Sequence, residues 1–207
     1  MLNDLKRAVC KANRELSRNG LVVFDWGSVS AFDMSMGLFV VKPADVPFDD
    51  LQPELMVVMS MEGQKVEGRL EPEADVELHR AIYCSWAMQV GAVAHTHSLY
   101  ATAFAQAGRS IPSHGTIHNR CFGADIPITA PPAENISAYD YAKGDSIVRA
   151  VADPGAVKGA LVHSHGPVAW GANCAEAVET ALHLESVAKL AYVTETLGGK
   201  KSRQTHE

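Results

Sequence analysis

The sequence predicts an α/β fold in which a single sheet is covered by helices on both faces. Segments with apolar residues three and four apart alternate with short β-branched or apolar runs, the pattern of helices layered on a sheet. A chain of 207 residues suits one domain with a core that needs neither disulfides nor a structural metal. No internal repeat, low-complexity linker or composition shift marks a boundary, so residues 1–199 are expected to form one domain and 200–207 a frayed polar tail.

Leu2, Leu5, Val9, Ala12 and Leu16 place one apolar face on a first helix, and Asn19-Gly20 supply its left-handed stop. Leu21–Asp25, Gly37–Val41 and Glu54–Met61 read as neighbouring strands punctuated by Gly, Pro and Asp, with Glu62–Leu70 closing a hairpin. Val76, Leu78, Ala81, Ile82, Trp86 and Met88 approximate a helical face within Glu73–Gln89, whose acids crowd into the first turn, where the helix dipole favours them. Gly91–His97 reads as a buried strand, Ser98–Ala107 as a helix stopped by Gly108, and Ile111–Pro132 as loop around a short strand at Asp125–Thr129. A further helix covers Ala138–Ala152 and a strand Val157–Trp170. Asn173, with Glu176 three residues on, opens the last helix as a capping box, and Gly198-Gly199 end it.

Composition excludes several classes of function. With 47% hydrophobic and 20% charged residues the chain is neither disordered nor collagenous. A net charge of −6, with Lys200, Lys201 and Arg203 as the only tight basic cluster, argues against nucleic acid as a partner. No apolar run reaches the ~20 residues of a membrane span, and Met1–Gly20 is too charged for a signal peptide. Cys10, Cys84, Cys121 and Cys174 form no CxxC pair, so reduced thiols and a cytoplasmic setting are expected.

The histidines point to chemistry. A strand places residues two apart on one face, so His95 and His97 of His95-Thr96-His97 can face one metal, and His163-Ser164-His165 repeats the spacing. Asp75 and His79 offer further ligands near a helix start. Three histidines and a carboxylate suit Zn²⁺ with one position open to substrate, the arrangement of catalytic sites. A lone HxH is more often a core or surface pair. Two such pairs beside an acidic helix start turn the reading towards a metal.

Trp26-Gly27-Ser28-Val29-Ser30, Lys42-Pro43, Asp75, His95-Thr96-His97-Ser98, Ser110-Ile111-Pro112 and Leu161-Val162-His163-Ser164-His165-Gly166-Pro167 occur in the order and at the separations of the class II aldolase/adducin family. From residue 1 to about 197 the chain resembles that family, most nearly its sugar-phosphate 4-epimerases. The resemblance implies a three-layer α/β/α sandwich with a largely antiparallel central sheet, and a homotetramer with sites between subunits. It implies His95, His97 and His165 as zinc ligands, with Mn²⁺, Co²⁺ or Fe²⁺ as substitutes, and Asp75 as fourth ligand or as acid/base. His163 is then expected to orient a ligand or to pack. A zinc ion gripping a hydroxy-ketone acts as a Lewis acid that stabilises the enediolate left by carbon–carbon cleavage. Re-addition to the other aldehyde face gives an epimerase, and release of the aldehyde an aldolase.

The chain departs from the epimerase pattern at the phosphate pocket. Lys42 remains, but Ser28 stands for an asparagine, Ala44-Asp45 for Ser-Gly, and Glu73-Ala74 for two serines. Carboxylates at Asp45 and Glu73 would oppose a phosphate dianion, so these substrate-binding positions suit a neutral terminus. After Gly115-Thr116-Ile117-His118, Arg120 replaces the expected catalytic aspartate. It either binds an anionic group or alkoxide, or pairs with Asp45 or Glu73. Tyr139 and Tyr141 are candidate substitutes for a proton donor, against an ordinary packing tyrosine as the more common reading of each. The expected function is a zinc-dependent lyase or isomerase of carbohydrate metabolism acting on a sugar-like hydroxy-ketone. A metal-dependent sugar dehydratase and a non-catalytic, adducin-like interaction module are the alternatives.

Overall fold

The computed structural model describes residues 2–131 and 136–198, with the backbone alone for 136–142. Strands β1 (Ser28–Asp33), β2 (Leu38–Val41), β3 (Val57–Ser60), β4 (Lys65–Glu67), β5 (Ala92–His95), β6 (Gly159–Val162) and β7 (Gly166–Gly171) form a seven-stranded sheet of order β4-β3-β2-β1-β5-β7-β6. All pairings between these strands are antiparallel. The helices are α1 (Asn3–Arg18), α2 (Val76–Trp86), α3 (Leu99–Gln106), α4 (Thr116–Phe122), α5 (Ile136–Ala150) and α6 (Cys174–Thr196).

Alternation along the strands builds the three layers. Val29, Ala31, Val40, Val58, Ala92 and Ala94 face one way and bury against α1, α3 and α6. Phe39, Val41, Val57, Met59 and Val93 face the other way, against Leu78, Ile82 and Tyr83 of α2 and Ile147 of α5. The sandwich implied by the family resemblance is therefore present. Small residues set the sheet-to-helix distance: a Cβ on Gly171 would lie 2.5 Å from that of Glu176, and one on Gly159 2.8 Å from Leu184 Cδ1. Ala177, Ala181, Leu184, Ala188 and Ala191 are buried within this chain's own core, so the small-residue face of α6 packs on its sheet and is not left over for a neighbour.

Helix starts are capped both locally and from a distance. Asn173 accepts from the Glu176 backbone at 3.1 Å, and its amide donates to the Glu176 carboxylate, a reciprocal cap close to the one expected. Ser98 does not cap α3. Glu185 of α6 takes the Tyr100 and Ala101 N–H groups instead, at 2.8 and 2.9 Å, a long-range cap that also suits the positive end of the helix dipole.

Four expectations need correction, the first being Asp125–Thr129, which forms no strand and holds only isolated bridges at Ile126 and Ile128. Leu21–Asp25 is not a strand: Trp26 N–H closes back on Val23 O at 3.1 Å, with Phe24 at φ 56°, so the segment is a tight turn. The strand lies at Ser28–Asp33, where Ser28 and Ser30 disguise an element whose first four residues are buried. Val157–Trp170 is two strands, turned at His163–His165 with Ser164 at φ 59°. Residues Thr116–Phe122, expected as loop, form α4, with Gly123 in the left-handed C-cap position. The expected tail 200–207 lies outside the described residues, as do the side chains of Tyr139 and Tyr141. No helix among the described residues is long and apolar enough to cross a membrane.

Candidate metal centre

Strand parity delivers the first ligand. Val93 faces the α2 and α5 layer, so His95, two residues on at the end of β5, faces it too and meets the start of α2. Asp75 occupies the N-cap position there, where an aspartate ordinarily accepts from the first turn, yet its carboxylate makes no capping bond. It points at imidazoles, with Oδ2 at 3.2 Å from His95 Nδ1 and 3.6 Å from His165 Nε2.

His97 and His165 arrive from irregular backbone, not from the paired strand faces that the spacing suggested. His97 lies beyond β5, where Thr96 N–H donates to Pro167 O at 3.1 Å. His165 closes the β6–β7 turn by donating its N–H to Val162 O at 3.0 Å. Two glycines let these backbones approach. A Cβ on Gly27 would lie 2.9 Å from His95 O, where φ is +115°, and one on Gly166 would lie 2.7 Å from Thr96 O and 3.4 Å from His97 Nδ1.

The three imidazoles form a near-equilateral triangle with ring centroids 4.8, 4.8 and 4.9 Å apart. One ligand atom from each of Asp75, His95, His97 and His165 lies within 4.8 Å of the others. His95 Nδ1, His95 Nε2 and His165 Nε2 are buried with no hydrogen-bond partner. Leaving such atoms unsatisfied costs about 1–3 kcal/mol each, so the cluster is incomplete without an electrophile, and three nitrogen donors with one carboxylate fit a divalent cation.

Electrostatics prepare the same cluster. Burial, with His95 and His165 close by, pushes His97 down to about 3, and burial likewise lowers His165, so both imidazoles are neutral with lone pairs free at neutral pH. Burial alone would raise Asp75, but the contacts from His165 and His95 and the Lys143 ammonium hold it far below the usual carboxylate range. Lys143 Nζ sits 2.8 Å from Asp75 Oδ1. It escaped the sequence reading because a single lysine within a helical stretch carries no signal until α5 is seen to pack on α2.

Beside the cluster opens a cavity of about 780 Å³, lined by Lys42, Asp45 and Glu73 among others, so these three expected positions do gather at one site. Glu73 is drawn in by pairing of the 71–73 segment with Lys42-Pro43-Ala44: Glu73 N–H donates to Lys42 O at 3.2 Å and Ala44 N–H to Glu71 O at 2.9 Å. Asp45 adopts φ 54° at the position where the family pattern has glycine. The loop therefore keeps a glycine-like backbone while presenting a carboxylate, a conformation aspartate tolerates better than most residues. Asp25 and Glu77, which carried no motif, add two more acids to the wall. Burial lowers Lys42, while charges on Glu73, Asp25 and Asp45 act against that shift. Trp26, which also lines the cavity, stands edge-on to His97 at 5.9 Å.

Other expected residues fall elsewhere. Ser28 is buried behind Glu73 and donates to its Oε1 at 2.8 Å, outside the lining. His79 is fully buried and belongs to that hydrogen-bonded group instead of the metal cluster. His163 Nδ1 lies 2.8 Å from Ser164 Oγ, and its ring packs over Gly108. Arg120 is exposed on α4, lines no part of the cavity, and forms no ion pair with Asp45 or Glu73.

Comparison with known proteins agrees with this geometry. Residues 7–192 match the family model described as the class II aldolase and adducin N-terminal domain. The L-ribulose-5-phosphate 4-epimerase UlaF of Salmonella paratyphi B is 41% identical over 196 residues, covering 93% of this chain and 86% of the relative, and the Salmonella typhi protein matches equally. Among solved structures, an L-fuculose 1-phosphate aldolase superposes with a TM-score of 0.82 at 22% identity, over 94% of this chain and 88% of that one. YgbL of Escherichia coli, described as a putative aldolase/epimerase/decarboxylase, gives 0.75 at 20%, over 93% and 90%. The chain belongs to the class II aldolase and adducin family, among its metal-dependent enzymes.

Proposed function

We propose that the chain is a zinc-dependent enzyme that breaks or re-forms a carbon–carbon bond in a sugar-like hydroxy-ketone whose far end carries no phosphate. The observation that carries this reading is the surroundings of Lys42. The one cation kept from the epimerase phosphate pocket is already answered by Glu73, Asp25 and Asp45. A carboxylate ~6 Å from a phosphate costs about 2–3 kcal/mol per unit-charge pair at an effective dielectric near 20, so this wall repels a dianion and receives hydroxyl groups.

His95, His97, His165 and Asp75 would hold the metal, which when bound supplies Lewis-acid polarisation of a carbonyl and its neighbouring hydroxyl. Asp75 serves as ligand and not as proton carrier, because Lys143 and the imidazoles keep it ionised. Trp26 covers the His97 side and limits water there. Lys42 and Glu73 orient the substrate's far end. Arg120 acts, on this reading, from one subunit on the cavity of the next. Its exposure, and the groove between α4 and α6 where Ile117 and Leu190 are exposed, support a contact between subunits of a homotetramer, and the free cysteines favour a cytoplasmic setting. Light scattering is expected to give four times the 22.2 kDa chain mass, and a value near one chain contradicts the assembly.

Incubating the zinc-loaded protein with free and phosphorylated ketoses tests the reaction. Aldehyde release or isomer exchange on free ketoses is expected. Water loss as the only change indicates a dehydratase, and no turnover of any ketose an interaction module.

A further inference from the structure

Behind the cavity wall runs a line of buried polar side chains that the reaction does not use directly. Ser28 Oγ donates to Glu73 Oε1 at 2.8 Å and lies 3.2 Å from His79 Nε2. His79 Nδ1 is 2.7 Å from Ser30 Oγ, which is 2.7 Å from Tyr83 Oη. Ser28, Ser30 and His79 are fully excluded from solvent, and Tyr83 is among the largest fully buried side chains. Strand parity creates the line: Ser28 and Ser30 are two apart on β1, facing α2, while His79 and Tyr83 are one helical turn apart on α2.

Proton counting gives the line a direction. Among the described residues the buried Tyr83 hydroxyl has Ser30 Oγ as its one hydrogen-bond acceptor and so donates there. That leaves Ser30 to donate to His79 Nδ1, Nε2–H to donate to Ser28, and Ser28 to donate to Glu73, whose carboxyl burial and Asp75 push up. Burial takes His79 down to about 3, leaving one ring proton at neutral pH, so Nδ1 is a bare acceptor. Every hydroxyl points towards Glu73. No hydrogen bond from the described residues reaches the second Glu73 oxygen, and Glu73 lines the cavity.

We infer that Tyr83, Ser30, His79 and Ser28 form a one-way hydrogen-bond chain that holds Glu73 as a fixed acceptor for a substrate hydroxyl, with His79 locked as its Nε2–H tautomer. The substrate part of this inference rests on the proposed function; the tautomer does not. His79 is a positioning residue: it acts on Ser28, and through Ser28 on Glu73. A buried chain with one proton arrangement fixes Glu73 more rigidly than an isolated pair, because reversing any member leaves a buried group unpaired. The cavity then favours a donor at that point and disfavours an acceptor-only phosphate.

The test combines a spectrum with a ligand preference. In the ¹⁵N-labelled, zinc-loaded protein, the His79 signals, assigned by their absence in His79→Gln, are expected to show a protonated Nε2 and a bare, hydrogen-bonded Nδ1 from pH 5.5 to 8. A proton on Nδ1, or on both nitrogens, in that range overturns the inference. Calorimetric binding of L-ribulose and L-ribulose 5-phosphate gives the preference ratio. Glu73→Gln, which turns the acceptor into a donor, is expected to move that ratio towards the phosphate by about tenfold or more. His79→Leu is expected to move it the same way, and His79→Gln, which keeps a donor for Ser28, to restore most of it. A ratio unchanged in both Glu73→Gln and His79→Leu refutes the positioning role. If neither sugar binds the parent protein, the proposed function fails, and the imidazole spectrum alone decides the chain.

Discussion

Gly166→Ala offers a measurement of how tightly backbone packing controls the metal ligands. The new Cβ would sit 2.7 Å from Thr96 O and 3.4 Å from His97 Nδ1. Bringing the first contact to an ordinary separation requires the Thr96–His97 backbone and the start of β7 to part by roughly 0.5 Å, more than the ~0.2 Å tolerance of a well-formed metal site. The closer partner, Thr96 O, is backbone, and Thr96 N–H is bonded to Pro167 O, so it cannot swing aside alone. Overpacking of this kind costs about 1–3 kcal/mol, and the strain falls between His97 and His165, so zinc affinity is expected to drop roughly 10- to 100-fold. Competition with a chromophoric chelator measures the affinity, and thermal unfolding of the metal-free protein measures stability. Gly171→Ala, at the other end of β7, is the control: its Cβ would meet Glu176 Cβ at 2.5 Å, so it destabilises the fold yet should leave zinc affinity within about twofold. Equal zinc affinity in Gly166→Ala and the parent, or equal losses in both variants, would refute the reasoning.

Three further outcomes follow from the site. Asp75→Asn removes the charge that faces Lys143 and two ligand histidines, and equilibrium dialysis should show zinc affinity reduced by about 100-fold or more, with an unchanged value counting against Asp75 as a ligand. His79 is depressed to about 3 in the fold against 6.5 when unfolded; both states are neutral above pH 6.5, and below it only the unfolded chain takes the proton. Stability of the metal-free protein should therefore fall with acidity by about 1.4 kcal/mol per pH unit from this group, and urea titrations from pH 6.5 to 4.5 should show a slope shallower by about one proton in His79→Gln. The double change Asp45→Gly with Glu73→Ser removes two carboxylates from the cavity and frees a non-glycine residue from φ 54°, so calorimetry should find L-ribulose 5-phosphate bound at least ~100-fold more tightly. No gain would show that the wall does not exclude phosphate.

The legibility of the site in the sequence divides along a physical line. His95 and His97 were readable from spacing, and their meeting with His165 and Asp75 from the order of motifs, although the spacing argument misplaced two of them. His97 lies beyond its strand and His165 in a turn, because a metal site draws ligands from chain ends and bends that a two-residue period cannot describe. Strand β1 was hidden because Ser28 and Ser30 face a buried polar line, so the strand does not alternate between apolar and polar in the ordinary sense. Phe24 shows the reverse error: an apolar run suggested a strand where a residue at φ 56° makes a turn and is itself left 82% exposed. Asp45 was readable as a chemical departure, but that it keeps a glycine-like backbone is visible only in three dimensions. Lys143 and Glu185 were silent, since each acts on a partner far away in sequence, at Asp75 and at the start of α3. The long helices α1 and α6 were readable because their apolar spacing and stop signals are local.

The most direct test of the account is elemental analysis of protein purified without chelators, followed by zinc titration of the dialysed chain. About one zinc per chain, retained by the parent and lost in His97→Ala, is the expected result. Absence of Zn, Mn, Co and Fe from the purified protein, with no uptake on titration, would contradict the assignment of His95, His97, His165 and Asp75 as a metal centre.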